Sequence, residues 1–357
     1  MVNYIVGRSV QGLAVLLGIV TLVFVLFALL PGDPVQLMLG QRTDPATVAR
    51  VRQDLGLDLP LGTRFLVYVN DLSPIAVHNI KQEDSPFFLD DRYGPSATLF
   101  SVGGLGAVLR WPYLRMSYQY QRPVGDMLLE ALPGTGVLAL LSMFIATILG
   151  IAFGVIGALN RGGWADRSLM VLSIFGMSLP SFVAAILAVW VLAYLLGHIT
   201  GLPVTGSLIV VDEFDGPRVA WANLILPTLT IAVRPLAVIM QLMRNSMLEV
   251  LAMDYVRTAT AKGLSMYTVV LRHALRNALS PVITAVSGWL ASLLAGAVFV
   301  EIVFGWKGLG LVMLNALNTY DLPVVMGCII LVSALFVIIN LMVDVLYGIF
   351  DPRVSVK

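Results

Sequence analysis

Six stretches of the chain are apolar for long enough to cross a bilayer, which takes roughly 20 helical residues. Val10–Leu30 and Val137–Leu159 carry no charge, and Ser168–Leu196 has Pro180 near its middle. Ile225–Met243 contains Arg234 and Pro235, Val282–Phe304 holds Glu301 near its end, and Val324–Ile349 holds Asp344 near its exit. The pattern predicts an all-α integral membrane protein with six transmembrane helices. The run Val10–Leu30 is longer than a signal-peptide core, no small-residue cleavage site comes after it, and Pro31-Gly32-Asp33-Pro34 reads as a turn. It is therefore read as a retained span.

Lys and Arg in the short loops set the orientation. One side collects Arg8, Arg161, Arg167, Arg244, Arg257, Lys262, Arg272, Arg276, Arg353 and Lys357; the other has Arg218 and Lys307. The imbalance predicts both termini in the cytoplasm. The long stretch 31–132 is exempt from this rule and is expected outside. The chain thus divides into residues 1–30 with the first span, an external segment 31–132, and a five-helix core 133–357.

The external segment opens with a helix pattern. Asp44 is placed to cap it, Pro45 suits its first turn, and Gly56 suits its end. Lys81–Gly94 is charged and turn-rich. Ser96–Leu109 is small and apolar, as for a segment lying on the membrane surface. Trp111–Tyr120 alternates aromatic and polar residues and predicts a strand. The segment reads as a small cap or as a docking surface for an external partner.

The loop between the fourth and fifth spans, 244–280, is amphipathic, basic and helical in pattern. Gly263 breaks it and Ser265 is placed to cap a second helix, so it reads as helix–turn–helix. Such a loop is built either to meet a partner or to rest on anionic headgroups.

Composition sharpens the class. The chain of 357 residues is 58% hydrophobic and 12% charged, with mean hydropathy +0.90, which excludes an ordinary soluble enzyme. A net charge of +1 disfavours nucleic acid. The single cysteine, Cys328, excludes an intrachain disulfide and a Cys-paired zinc site. His78, His198 and His273 are scattered, so no metal cluster is visible. None of Lys81, Lys262, Lys307 and Lys357 comes directly after a glycine, so no Walker motif is present. The spans contain no Ser–His pair and no H-E-x-x-H. No catalytic residue, cofactor site or metal site is assigned.

Two places carry candidate chemistry. Arg234, near mid-bilayer, is costly there unless it faces water or an acid; Pro235 beside it frees a carbonyl. The pair reads as a pathway-lining cation that meets an anion such as a peptide carboxylate, or as a structural or snorkelling charge. Glu301 and Lys307 flank Val303-Phe304-Gly305-Trp306, and then comes Gly308-Leu309-Gly310. This reads as a re-entrant turn or external gate, with Glu301, Phe304, Gly308 and Gly310 as its residues, or as an interfacial aromatic anchor.

The segment Asp254-Tyr255-Val256-Arg257-Thr258-Ala259, then Ala261-Lys262-Gly263-Leu264-Ser265, resembles the EAA loop of binding-protein-dependent ABC importers, in the form of the oligopeptide/dipeptide permease branch. Leu271-Arg272-His273-Ala274-Leu275-Arg276-Asn277-Ala278 and Pro281 continue the likeness. Leu30-Pro31-Gly32-Asp33-Pro34, Leu55-Gly56-Leu57-Asp58-Leu59-Pro60, Glu301-Ile302-Val303-Phe304 with Gly308-Leu309-Gly310, and Asn340-Leu341, Asp344, Leu346-Tyr347 and Asp351-Pro352-Arg353 resemble further blocks of that family. The N-terminal blocks are those of its B-type subunit. Arg257-Thr258 stand where the general motif has Glu-Ala, Lys307 stands where the family has Pro, and residues 80–111 resemble an insertion.

The resemblance implies the type I ABC importer fold, with six transmembrane helices and an external segment after the first. It implies a permease subunit in a multi-pass (inner) membrane location, forming half of a pore that takes up dipeptides or oligopeptides. Nickel chelates and glutathione are alternatives, because related permeases share these motifs. The implied partners are a homologous C-type permease, two ABC ATPase subunits that bind the ATP and Mg, and an extracytoplasmic substrate-binding protein. Arg257–Met266 would be the coupling helix, and Asp254, Tyr255, Arg257, Thr258, Ala259, Lys262, Gly263, Leu264 and Ser265 its motif. An ATP-independent channel or carrier, or a membrane-anchored structural protein, are the readings of other classes.

Overall fold

A computed structural model describes residues 2–28, isolated positions between 35 and 52, 56–212 and 216–350. The blocks at 30–34 and 351–353 lie outside the described residues. So does most of the helix expected after Asp44, of which one helical hydrogen bond, from Val48 N–H to Asp44 O, is described.

Among the described residues the α-helices of seven or more residues are α1 (Val2–Ala28), α2 (Leu61–Leu72), α3 (Val124–Leu159), α4 (Trp164–Ser178), α5 (Ser181–Ala188), α6 (Ala222–Leu251), α7 (Asp254–Ala261), α8 (Ser280–Gly296), α9 (Val298–Phe304), α10 (Leu309–Asn318) and α11 (Leu322–Phe350). Four are long and apolar enough to cross a membrane alone: α1, α3, α6 and α11. The pairs α4–α5 and α8–α9 each pass only together, giving up to six spans. The expected single span Ser168–Leu196 is bent by 110° between α4 and α5. Pro180 causes the break. It offers no N–H to the helix and forces Leu179 into an extended conformation, φ −74° and ψ 125°. Beyond α5 the chain continues as a π-helix, Val189–Leu195.

The chain forms two compact units. The first comprises Ala131–Leu311 with Leu335–Lys357. Its centre is α6, whose buried residues include Leu226, Ile231, Ile239, Met240, Met243 and Met247. Glycines on α3 permit close packing there. A Cβ on Gly150 would press on Ile239, and one on Gly154 on the Met240 carbonyl and Met243. Pro227 and Pro235 both sit inside α6 without ending it. A two-stranded ribbon, β4 (Ile209–Asp212) with β5 (Gly216–Val219), precedes α6.

The second unit comprises Val2–Glu130 with Val312–Ala334. Here α2 packs on α1 through Phe24, whose ring lies 5.2 Å from Phe65 and 5.7 Å from Tyr68. An antiparallel sheet comes next, in order β1 (Ile75–Asn79), β3 (Leu105–Arg110), β2 (Ser96–Val102). The apolar stretch expected on the membrane surface is therefore a β-hairpin. The strand expected over Trp111–Tyr120 does not form. Pro112 removes a ladder donor, Arg115 has φ +68°, and only an isolated bridge joins Met116 to Pro123. Behind the sheet Asp71 accepts from Tyr93 Oη (3.2 Å) and Arg115 (3.3 Å). Burial raises the Asp71 pKa, against the pull of Arg115. Arg110 Nε donates to His78 Nε2 at 3.0 Å, and His78 Nδ1 faces the Phe87 carbonyl at 3.1 Å.

Candidate functional site

The loop after α6 is built by a helix stop and a helix start placed back to back. Met253 is extended (φ −74°, ψ 150°) and opens α7; Asp254 sits in its first turn, where a carboxylate suits the helix dipole. Val256 and Ala259 are the buried positions of α7, one turn apart on a single face. Asp254, Tyr255, Arg257, Thr258, Lys262, Gly263, Leu264 and Ser265 are exposed. The Arg257–Asp254 contact, at 3.8 Å between two exposed side chains, contributes little.

Gly263 ends α7. Its φ is +79°; its N–H donates to Thr260 O at 2.9 Å, and Leu264 N–H to Ala259 O at 3.4 Å. This is the paired closure of a Schellman motif, which needs a left-handed residue at that position. A Cβ there would meet nothing, so the glycine serves the turn and not a close approach. Ser265 then caps the next helical stretch: its Oγ accepts from Thr268 N–H. That stretch runs through a π-helical turn, Val269–Ala274, to Ala278 and buries Val269, Val270, Ala274 and Ala278. Tyr255 fastens the two arms. Its hydroxyl accepts from Asn277 Nδ2 at 2.7 Å and lies 3.3 Å from the His273 carbonyl. The helix thus covers 254–261, beginning and ending earlier than the expected 257–266.

The base of α6 is held by a second contact that the sequence does not signal. Arg244 donates from Nε and Nη2 to Asp166 of α4 at 2.5 and 2.8 Å. Gly162 N–H also donates to Asp166 (2.8 Å).

The turn after α9 is organised around Glu301, which is fully buried. Its carboxylate accepts from Thr135 Oγ1 (2.6 Å) and from Gly310 N–H (2.7 Å), and Thr135 Oγ1 accepts from Leu309 N–H (2.8 Å). Glu301 therefore caps the N-terminus of α10, where N–H groups lack helical partners. A Cβ on Gly308 or Gly310 would strike that carboxylate. Phe304 and Trp306 are buried, Trp306 Nε1 donates to Gly134 O (3.0 Å), and Lys307 N–H to Ser207 Oγ (3.0 Å). Both rings are buried, which does not fit the alternative reading of an interfacial aromatic anchor. Thr135 and Ser207 were invisible to sequence reasoning, because their partners lie about a hundred or more residues away.

Pro235 is buried, whereas Arg234 is exposed. The Arg234 guanidinium carbon lies 5.8 Å from the centre of the Trp289 ring. The candidate residues thus fall into three places within one unit: the loop 254–265, the Glu301 turn, and the flank of α6. None pairs a nucleophile with a base.

These features define a multi-pass membrane subunit with a rigid helical loop between its fourth and fifth spans. Residues 150–356 match the family of binding-protein-dependent transport system inner membrane components, and residues 1–85 match that family's N-terminal region. The chain belongs to this family of transport permeases. It is 36% identical to a di/tripeptide transport system permease protein of Pseudomonas aeruginosa, over 99% of each chain. It is 32% identical to a dipeptide transport system permease protein of Alkalihalophilus pseudofirmus, over 99% of this chain and all of that one. A structure of the MetNI methionine ABC transporter, in an inward-facing conformation, aligns with 62% of this chain and 94% of its own at 18% identity, with a TM-score of 0.49.

Proposed function

We propose that this chain is one of two transmembrane subunits of an ATP-driven importer for dipeptides or oligopeptides. Its termini and the loop 254–265 face the cytoplasm, and residues 31–132 face outward. In this reading α7 and the capped turn after it seat in a groove on a separate ATPase subunit. ATP and Mg are bound by that partner, and a substrate-binding protein delivers the peptide from outside. Closure of the ATPases drives rigid-body rocking of the spans.

The observation that carries this reading is the construction of the loop. A short helix with an exposed polar face is closed by the Gly263 turn, capped by Ser265 and pinned to the second arm through Tyr255 and Asn277. A loop resting on lipid headgroups needs no such fastening. The full-length relatives named for peptide transport support the substrate class. The Glu301 turn fits an outer gate in this scheme, as hydrogen bonds from Leu309 N–H to Thr135 and from Trp306 Nε1 to the Gly134 carbonyl hold it on α3.

Reconstitution tests the proposal. Vesicles holding this chain, a second permease, the ATPases and the binding protein should take up labelled dipeptide only with ATP. Uptake by this chain alone, driven by an ion gradient, would replace the proposal with a carrier.

A further inference from the structure

Arg234 is a cation twelve residues into the 30-residue helix α6, some 18 Å from its start. That depth puts it well inside a bilayer, where a charge persists only beside water or a counter-charge. Among the described residues it makes no ion pair; its partner is the indole of Trp289. A ring face steadies a guanidinium but leaves its N–H fork free for a planar anion.

Trp289 belongs to α8, and α8 presents an unusual outer surface. Ser280, Thr284, Gly288 and Ser292 recur at every fourth position, and all four are exposed. Gly288 faces open space. Thr284 Oγ1 donates to the Ser280 carbonyl at 3.4 Å. A lipid-facing row would be aliphatic; small polar residues repeated on the outside of a membrane helix point to water or to another helix. Arg234, held on the Trp289 ring, lies against the same helix that carries this row. A cation there fits water better than a packed helix, because a packed neighbour would have to bury the guanidinium as well.

We propose that Arg234 and the row Ser280–Thr284–Gly288–Ser292 line a water-filled conduit, and that Arg234 there engages the carboxylate of a passing solute. This rests on the reading of the chain as a transport subunit and names the chemistry it selects. Arg is suited to the task, since its planar fork matches a carboxylate in two-point contact. The role is one of binding and selection and involves no bond making.

The test uses the assembled importer in vesicles, with Thr284→Cys, Gly288→Cys or Ser292→Cys introduced singly; the native Cys328 is buried. Each is exposed to an anionic sulfonatoethyl and a cationic trimethylammonioethyl methanethiosulfonate. Both reagents are expected to react, the anionic one faster by about tenfold once intrinsic reactivity is corrected for. Neutral Arg234→Gln or Arg234→Met should erase that preference, and Arg234→Lys should keep it. Peptide uptake by the neutral variants should lose affinity, seen as a rise in KM, with partial recovery in Arg234→Lys. Failure of both reagents at all three positions would place the row against lipid or a neighbouring helix and overturn the proposal. Labelling whose charge preference ignores residue 234 would overturn the role of Arg234. Absence of ATP-driven uptake by the wild-type complex would count against the importer reading, and the labelling would still report on the conduit.

Discussion

Asp166 and Arg244 form a two-point ion pair, 2.5 and 2.8 Å, between the start of α4 and the end of α6. Both side chains are largely buried, 5% and 17% exposed. Arg244 lies nine residues before the Met253 that opens α7. The pair therefore fixes the stem from which the loop 254–265 projects. Removing one partner of such a pair leaves the other charge buried and unmatched, which is more damaging than the pair is stabilising. Asp166→Asn should lower the melting temperature of the purified complex by about 5 °C. It should also reduce peptide transported per ATP hydrolysed. A calorimetric scan and a coupled uptake–hydrolysis assay read the two effects.

Gly263 is needed for its backbone angle alone, since a Cβ there meets nothing. Gly263→Asn should be tolerated, because Asn accepts the left-handed region, whereas Gly263→Val should strain the turn by about 1–2 kcal/mol. The Val variant is expected to insert normally, and in the assembled complex the partner ATPase should hydrolyse ATP without matched uptake. Normal uptake in the Val variant would argue against a rigid turn.

Gly308 and Gly310 contrast with Gly288. The first two abut the Glu301 carboxylate, and the third faces open space. Gly308→Ala should displace the buried carboxylate from Thr135 and from the α10 N-terminus. Its melting temperature should fall well below that of Gly288→Ala, which should match wild type. Glu301→Ala should resemble Gly308→Ala, because both leave the N–H of Gly310 without its acceptor.

His78 gives the sheet unit a pH dependence. Burial, and then the Arg110 guanidinium, lower its pKa. Arg110 from β3, Tyr93 and the nearby Asp71 and Asp90 are the charged and titratable groups around it. The folded unit therefore holds neutral His78, which accepts from Arg110 Nε. As pH falls below about 6.5 the unfolded chain binds a proton that the fold resists. Stability present at neutral pH is lost progressively on acidification. Hydrogen exchange over residues 75–110 should accelerate from pH 7.5 to pH 5.5, and His78→Gln should flatten that dependence.

The spans were legible because long uninterrupted apolar runs have few structural meanings, and all six recur as four helices and two bent pairs. The 110° bend at Pro180 was signalled by the proline, but its size depends on the side chains packed around it. The loop 254–265 was readable down to its stop and start, since Gly263 and Ser265 act through local backbone geometry. The β-hairpin was missed because Ser96–Leu109 lacks the alternation that marks a half-buried strand; every residue of β2 is exposed. Trp111–Tyr120 showed alternation without forming a strand, as Pro112 and Arg115 override it. Thr135 for Glu301, Arg244 for Asp166 and Ser207 for Lys307 are distant in sequence, and no local pattern announces them.

The central claim is that the loop at 254–265 is seated in a nucleotide-hydrolysing partner. Disulfide cross-linking tests it most directly, with a cysteine in place of Lys262 or Ser265 and single cysteines across the ATPase surface. The expected result is a cross-link in the assembled complex whose yield changes between nucleotide-free and ATP-bound states, with no labelling of either position by an impermeant thiol reagent added to intact cells. Labelling from outside, or a complex in which neither position cross-links to the ATPase, would contradict the account.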